Sequence, residues 1–351
     1  MDIENKTIWQ QGSGDGDRNY ASECLKWDVI LNGPGDAGAF PDVYVNHKKL
    51  GMTSRKATDL RRFSEEMTAG DIVVLRSGTS RISGVGEIVG EYQWLEIFGD
   101  IDGWDLQHVR RVRWLWQSNT SPKLFPTYTL NQGDTSQLLR SEVVKQWLAD
   151  LKLKNASTNR SLIELPLPKD SRPASLQDLS EAMFSYGVAS DSINNFMRDI
   201  NEIVRIADWY QRTGSPSEHE TVAYLVIPFL RALGWTPQKM AVEWKYVDVA
   251  LFGKLPREAD NLKVVVEVKR IGNSCLTAVT QAEGYALKYK GCERLIVTDG
   301  IRYGVFVRKN ERFFLSAYVN LTKLRNEYPI YDCGGLIEAV LGMTPEWTPD
   351  E

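Results

Sequence analysis

Apolar residues in the first third of the chain come in short runs broken by turn residues. Residues 27–31 run into Asn32-Gly33-Pro34-Gly35, residues 71–75 run into Arg76-Ser77-Gly78, and residues 82–92 and 109–116 follow. Such runs predict strands. Between them Leu60, Phe63 and Met67 fall at roughly helical spacing, which predicts a helix over 58–67. The expected product is a small β-barrel carrying a few helices. Residues 141–153 predict one amphipathic helix, and residues 155–173, rich in Ser, Asn, Pro and Lys, have the composition of a linker. From 175 to 210 the apolar positions step by threes and fours, predicting two helices split at Gly187 that act as a helical connector. A long helix is then expected to about Leu233, ending at Gly234. Strands are expected at 242–252, 263–269, 295–298, 303–308 and 313–317, with a helix over 277–289. The order α-β-β-α-β predicts a mixed sheet flanked by helices. The domain plan is therefore a first domain over 1–150, a linker and connector over 151–214, and a second domain over 215–351.

Length and composition narrow the function classes. A chain of 351 residues is long for one compact domain and suits two. With 42% hydrophobic and 25% charged residues and no apolar run of membrane-spanning length, a membrane role is not expected. The start, Met1-Asp2-Ile3-Glu4, lacks a signal-peptide profile, so a cytoplasmic location is expected. Cys24, Cys275, Cys292 and Cys333 are far apart and form no metal or disulfide framework. A net charge of -4 argues against indiscriminate coating of nucleic acid, but it leaves room for a local basic groove. The three histidines restrict Ser-His and poly-His chemistry, so carboxylates must carry catalysis. No phosphate-binding G-x-x-x-x-G-K-[ST] loop is present, and no nucleotide cofactor is expected.

Carboxylates on neighbouring strands suit phosphodiester hydrolysis, which needs a divalent ion held by hard oxygen ligands. Asp248 lies in Tyr246-Val247-Asp248-Val249, and Glu267 lies in Val264-Val265-Val266-Glu267-Val268-Lys269, with turn residues between the two runs as in a hairpin. Glu267 and Lys269 are two apart on a strand and leave the same face. The valine run before Glu267 reads as a strand buried on both faces, where an unpaired acid is costly. The other reading of the two acids is a structural salt bridge.

This arrangement resembles the PD-(D/E)XK nuclease superfamily. More closely it is similar to the nuclease domain at the N-terminus of type I restriction motor subunits. The resemblance rests on Leu230 to Trp235, Val247-Asp248, Glu267-Val268-Lys269, Gln281-Ala282-Glu283-Gly284-Tyr285 and Val297-Thr298-Asp299-Gly300. It implies Asp248, Glu267 and Glu220 as metal ligands for Mg²⁺ or Mn²⁺, with Gln281 and Tyr285 beside the site; Lys269 is the catalytic lysine, which could orient or deprotonate the attacking water or stabilise the pentacovalent phosphate. Ser217-x-x-Glu220 is also a capping box, which accounts for Glu220 without catalysis, and Ser215-Pro216-Ser217-Glu218 is another. Gln281 and Tyr285, one helical turn apart, could equally be a surface and a core residue.

Upstream, Gly70 to Leu75, Gly84 to Val89 and His108-Val109-Arg110-Arg111-Val112-Arg113-Trp114 resemble the EVE and related PUA-like domains over about 20–130. That resemblance implies nucleic-acid binding, with a modified base flipped into an aromatic-walled pocket. Trp27 and Trp94 are candidate walls, and Asn32 and Ser77 candidate contacts to the base edge. Arg110, Arg111 and Arg113, with Arg55, Lys56, Arg61 and Arg62, are candidate phosphate contacts. The expectation is a modification-dependent DNA restriction endonuclease acting in antiviral defence on double-stranded DNA, as a homodimer. The alternatives are a repair or nucleic-acid-processing nuclease without modification specificity, and a non-cutting DNA-binding module.

Overall fold

The computed structural model describes residues 5–14, 18–118, 120–151, 161–169, 172–214, 216–273 and 275–348. It divides into two compact units, residues 1–166 and 167–351, and is mixed α/β with one sheet in each. Much of the expected linker, 152–160 with 170 and 171, lies outside the described residues.

The first unit carries β1 (Ile8–Gly12), α1 (Ala21–Lys26), β2 (Val29–Asn32), α2 (Asp42–Val45), α3 (Ser54–Arg61), β3 (Ile72–Ser77), β4 (Arg81–Ile88), β5 (Gln93–Trp94), β6 (His108–Gln117), β7 (Lys123–Leu124), β8 (Ser136–Leu138) and α4 (Glu142–Asp150). The sheet is eight-stranded in the order β2-β6-β4-β3-β1-β8, with β5 against β6 and β7 against β4, curled into a half-barrel. β1 pairs parallel with β3, and the other pairs are antiparallel. The helix expected over 58–67 starts earlier. Thr53 caps its first turn by accepting from the Lys56 amide, and α3 passes into a π turn over Arg62–Glu66. Helix α4 buries Val144 and Leu148 against Ile72, Val74, Ile82 and Val85.

The second unit carries α5 (Leu176–Ser185), α6 (Ser190–Thr213), α7 (Glu218–Thr221), a π turn over Val222–Val226, α8 (Ile227–Ala232), β9 (Met240–Trp244), β10 (Val247–Phe252), β11 (Leu262–Val268), α9 (Val279–Ala286), β12 (Arg294–Thr298), β13 (Arg302–Lys309), β14 (Arg312–Asn320), β15 (Glu327–Tyr328), β16 (Cys333–Gly334) and α10 (Leu336–Met343). Its eight strands run in the order β15-β16-β14-β13-β12-β11-β10-β9. β11 and β12 are parallel, and β9, β10 and β11 form an antiparallel meander.

Two differences from expectation matter for the site. The helices expected as a connector belong to the second unit: Leu179, Met183, Ile193, Phe196, Ile200 and Ile203 share one core with Leu225, Phe229, Val249 and Val266. Their apolar stripes pack into this core, and a free connector would leave them in water. The single strand expected over 242–252 is instead a hairpin turning at Lys245-Tyr246, with Trp244 paired to Val247.

Strand β11 separates two cores, as its valine run predicts. Val264, Val266 and Val268 face the core built with α6, α8 and α10, while Val265 faces the smaller core under α9. By strand alternation Glu267 shares the face of Val265, and so points to the α9 side. Asp248 shares the face of Ala250 and Phe252, which also pack under α9. No described helix is long and apolar enough to cross a membrane.

Candidate active site

The pairing of β10 with β11 brings the two acids together. Val249 pairs with Val266, so one step along the ladder Asp248 stands opposite Glu267. Like charges directly opposite on neighbouring strands repel. The structure answers this with donors: Asp248 Oδ2 accepts from the Val268 amide at 2.7 Å, and Glu267 Oε1 accepts from Lys269 Nζ at 2.7 Å. Glu267 is 2% exposed, whereas Asp248 is half-buried. Burial raises the Glu267 pKa; the Lys269 bond opposes this, and the Asp248 and Glu218 charges add to it. For Lys269 burial works downward, but the Glu267 bond and the charges of Glu267, Glu218 and Asp248 raise its pKa overall. The cation is thereby held charged beside a carboxylate that resists ionisation.

The sequence elements implied by the nuclease resemblance fall at different distances from this centre. Lys269 Nζ donates to Gln281 Oε1 at 3.5 Å, which places the start of α9 at the site. Tyr285, one turn on, is half-buried, and its ring stacks with that of Tyr246 at 6.3 Å between centroids and 20° between planes. Asp299 is fully buried and accepts from the amides of Gly272, Ile301 and Arg302 and from the Arg302 guanidinium, so it shapes the turn after β12.

Glu220 is engaged elsewhere. Ser217 Oγ accepts from the Glu220 amide, and Glu220 Oε2 accepts from the Ser217 amide at 2.7 Å and hydroxyl at 2.9 Å, closing a capping box. Those bonds lower its pKa, and its carboxylate is fully exposed. The helix carboxylate whose charge reaches Glu267 and Lys269 is Glu218, exposed and two residues earlier. Its segment is tied to the site because Arg270 Nε donates to the Pro216 carbonyl at 3.0 Å. Sequence reasoning named Glu220 and missed Glu218. The sequence did not separate the two, because Ser215-x-x-Glu218 reads as a capping box just as Ser217-x-x-Glu220 does.

Asp248 and Glu267 form a hard-oxygen donor pair. Among the described residues no three His, Cys, Asp or Glu side chains converge into a complete metal-ligating group. Two carboxylates fit Mg²⁺, which keeps several waters and takes one or two acids.

In the first unit the candidate residues fall into two clusters. Asn32 is fully buried at the end of β2, where its Oδ1 accepts from Lys56 Nζ at 2.8 Å and its Nδ2 donates to Ser136 Oγ. Ser136 Oγ in turn donates to Gln11 Oε1, and Lys56 also donates to Asp59 at 2.7 Å. Ser77 belongs with Ser13 and Asn19. Trp94 is half-buried and its indole donates to the Gly35 carbonyl; Trp27 is half-buried with Lys26 over its ring. Aromatics that sequence reasoning passed over are Phe40, on the loop leaving β2, and Tyr44 in α2; the Phe40 ring meets those of Tyr44 and Tyr92. His108, opposite Asn32 in the ladder, stacks on Tyr92.

The phosphate-contact expectation needs correction for Arg110. It is 2% exposed and donates Nε to the Phe63 carbonyl, Nη2 to Ser64 and Nη1 to Gly90. Position 110 shares the inward face of β6 with His108 and Val112, so its guanidinium tethers the π turn after α3. Arg111 and Arg113 are half-buried; Arg111 donates to the Asp28 carbonyl, and Arg113 lies 3.6 Å from Glu87. Arg55 and Arg62 pair with Asp134, and Arg61 with Glu66.

Residues 9–137 are similar to a family described as a domain of unknown function (DUF8426), a match that runs from β1 into β8. No curated protein matches the chain.

Proposed function

We propose that the chain is a divalent-metal-dependent DNA endonuclease of the PD-(D/E)XK kind, directed by a PUA-like first unit that reads a modified base. The observation that carries this reading is the placement of Asp248 opposite Glu267 with the Lys269 ammonium on the same face. Two facing acids and a buried-side cation are a poor structural solution, since an apolar pair would fill the same space without desolvating charge.

Asp248 and Glu267 would hold the ion, with Glu218 near enough to add charge, and Mg²⁺ when bound would supply a Lewis acid and a more acidic water. Lys269 works against the upward shift of the Glu267 pKa and presents positive charge where the phosphorane gains negative charge. Gln281 Oε1 accepts a long hydrogen bond from the Lys269 ammonium and helps to orient it.

For the first unit the reading rests on polar groups gathered inside the half-barrel: Gln11, Asn32, Asp59 and Ser136, beside the half-buried Lys56. A base edge meeting Asn32 would take the place of the Lys56 bond there. Because Arg110 is enclosed, backbone contact falls to Arg111 and Arg113. Cutting both strands calls for two active centres, so a homodimer on DNA belongs to the proposal.

The test is cleavage of matched duplexes carrying unmodified, methylated, hydroxymethylated or glucosylated cytosine, with Mg²⁺, by the wild type and Glu267→Gln. Cutting of one modified substrate alone, lost in the variant, supports both halves. Equal cutting of all substrates removes the base reader and leaves a processing nuclease. A second reading, a binding module that does not cut, is favoured by the lack of a third converging ligand among the described residues. It predicts modification-dependent binding with no Mg²⁺-dependent product.

A further inference from the structure

At the tip of the β9–β10 hairpin stands Tyr246, with 78% of its surface exposed. A tyrosine ring so exposed covers no core. The turn that carries it is unusual as well. Lys245 takes φ 58, a left-handed conformation that a two-residue hairpin ordinarily gives to glycine or asparagine. Glu243, two residues before, takes φ 51. Backbone in this region is held only where the surroundings impose it, and such positions gather at functional sites.

The ring has a defined attitude, stacked nearly parallel on Tyr285, and Lys288 Nζ lies 5.2 Å from the centre of the Tyr285 ring. Lys245 Nζ lies over Trp244 at 4.5 Å and near Tyr289 at 5.6 Å. The result is an aromatic ledge flanked by two lysines. Two links tie it to the acids: Tyr246 lies two residues before Asp248 on the same hairpin, and Tyr285 lies one helical turn after Gln281, which meets Lys269.

We infer that Tyr246 is a stacking platform for an unpaired nucleobase next to the phosphate held at Asp248, Glu267 and Lys269, so that this site takes frayed, nicked or single-stranded DNA in preference to uninterrupted duplex. The inference rests on the nuclease reading and deepens it. A planar ring exposed on one side offers a face to any base, the lysines pair with the adjoining phosphates, and base–aromatic stacking of this kind tolerates any sequence. Inside an intact duplex both faces of each base are already stacked, and the ledge has nothing to receive.

The test uses the full chain carrying Glu267→Gln, which holds DNA without consuming it. Affinity is measured by fluorescence anisotropy for a short single-stranded oligodeoxynucleotide and for a covalently closed duplex of the same sequence. Tyr246→Ala is expected to weaken single-strand binding about tenfold, the loss of one stacking contact, and to leave the closed duplex unchanged. Tyr246→Phe and Tyr246→Trp should bind as tyrosine does. No single-strand binding by the parent, equal affinity of the alanine variant, equal loss on closed duplex, or failure of the phenylalanine variant would each overturn the platform. Cleavage by the wild type against Glu267→Gln is scored separately. Activity that survives Glu267→Gln sinks the active-site reading whatever the stacking result, and a silent Tyr246→Ala in an enzyme that Glu267→Gln kills sinks only the platform.

Discussion

Lys269, one residue past the end of β11, donates to Glu267 at 2.7 Å, and Asp248 stands opposite the same Glu267 on the next strand. One ammonium therefore offsets two acids. Replacing Lys269 with methionine keeps the length and removes the charge. Activity is expected to fall on the order of 10²-fold, as for loss of one electrostatic stabiliser. The acid limb of the pH–rate profile should also move to higher pH, because Lys269 lowers the Glu267 pKa and its removal makes the carboxyl protonate sooner. A profile whose acid limb stays in place would show that Lys269 does not govern Glu267.

Glu218 and Glu220 lie two residues apart and are expected to separate cleanly. Glu218→Gln should weaken Mg²⁺ binding, raising the metal concentration for half-maximal rate several-fold with an unchanged melting temperature. Glu220→Gln should lower the melting temperature slightly and leave the metal requirement alone, since its bonds go to Ser217. Ser217→Ala, which removes the other half of the box, should cost about 1 kcal/mol. Metal titrations of both glutamine variants decide the matter, and reversed phenotypes would restore Glu220 to the site.

Arg110→Ala should act as a folding mutation. Three backbone carbonyls lose their donor inside the first unit, at a cost of roughly 3 kcal/mol or more. The salt dependence of DNA binding by the remaining folded protein should not change, whereas Arg111→Ala or Arg113→Ala should lower its slope by about one. A slope that falls for Arg110→Ala at full stability would contradict the enclosed placement.

His108 gives the first unit a pH dependence. Its Nε2 meets the Pro34 carbonyl, so that nitrogen carries the proton, and Nδ1 accepts from the Tyr92 hydroxyl at 2.8 Å. The same hydroxyl accepts from the Phe40 amide, and the ring thereby pins the loop leaving β2. Burial lowers the His108 pKa from 6.5 to about 4, with the Pro34 bond opposing. The folded state binds fewer protons than the unfolded one, so the contribution is complete above pH 6.5 and is lost as pH falls toward 4. Between pH 6.5 and 5 the loss should be about 2 kcal/mol. Denaturant unfolding followed by tryptophan fluorescence at the two pH values, for wild type and His108→Gln, should show this slope only in the wild type. An identical slope in both would assign it to other groups.

What the sequence by itself determined were features read within one element. The valine run 264–266 announced a strand buried on both faces, and alternation put Glu267 and Lys269 on one side of it, because side-chain direction in a strand is a local property. The helix limits near Gly187 and Gly234 were legible for the same reason, through apolar spacing and a terminating glycine. Tertiary structure alone decided matters of partnership. The hairpin at Lys245-Tyr246 was invisible because lysine does not favour the left-handed conformation it takes there; pairing between β9 and β10 imposes it. Whether α5 and α6 connect or cover depended on which sheet face was left bare. Glu220 and Glu218, alike in a sequence, parted when one met the Ser217 amide and the charge of the other reached Glu267 and Lys269. Arg110 looked like its neighbours until β6 turned it inward. A charge acquires its role from what lies within a few ångströms across the fold, and adjacency along the chain does not encode that distance.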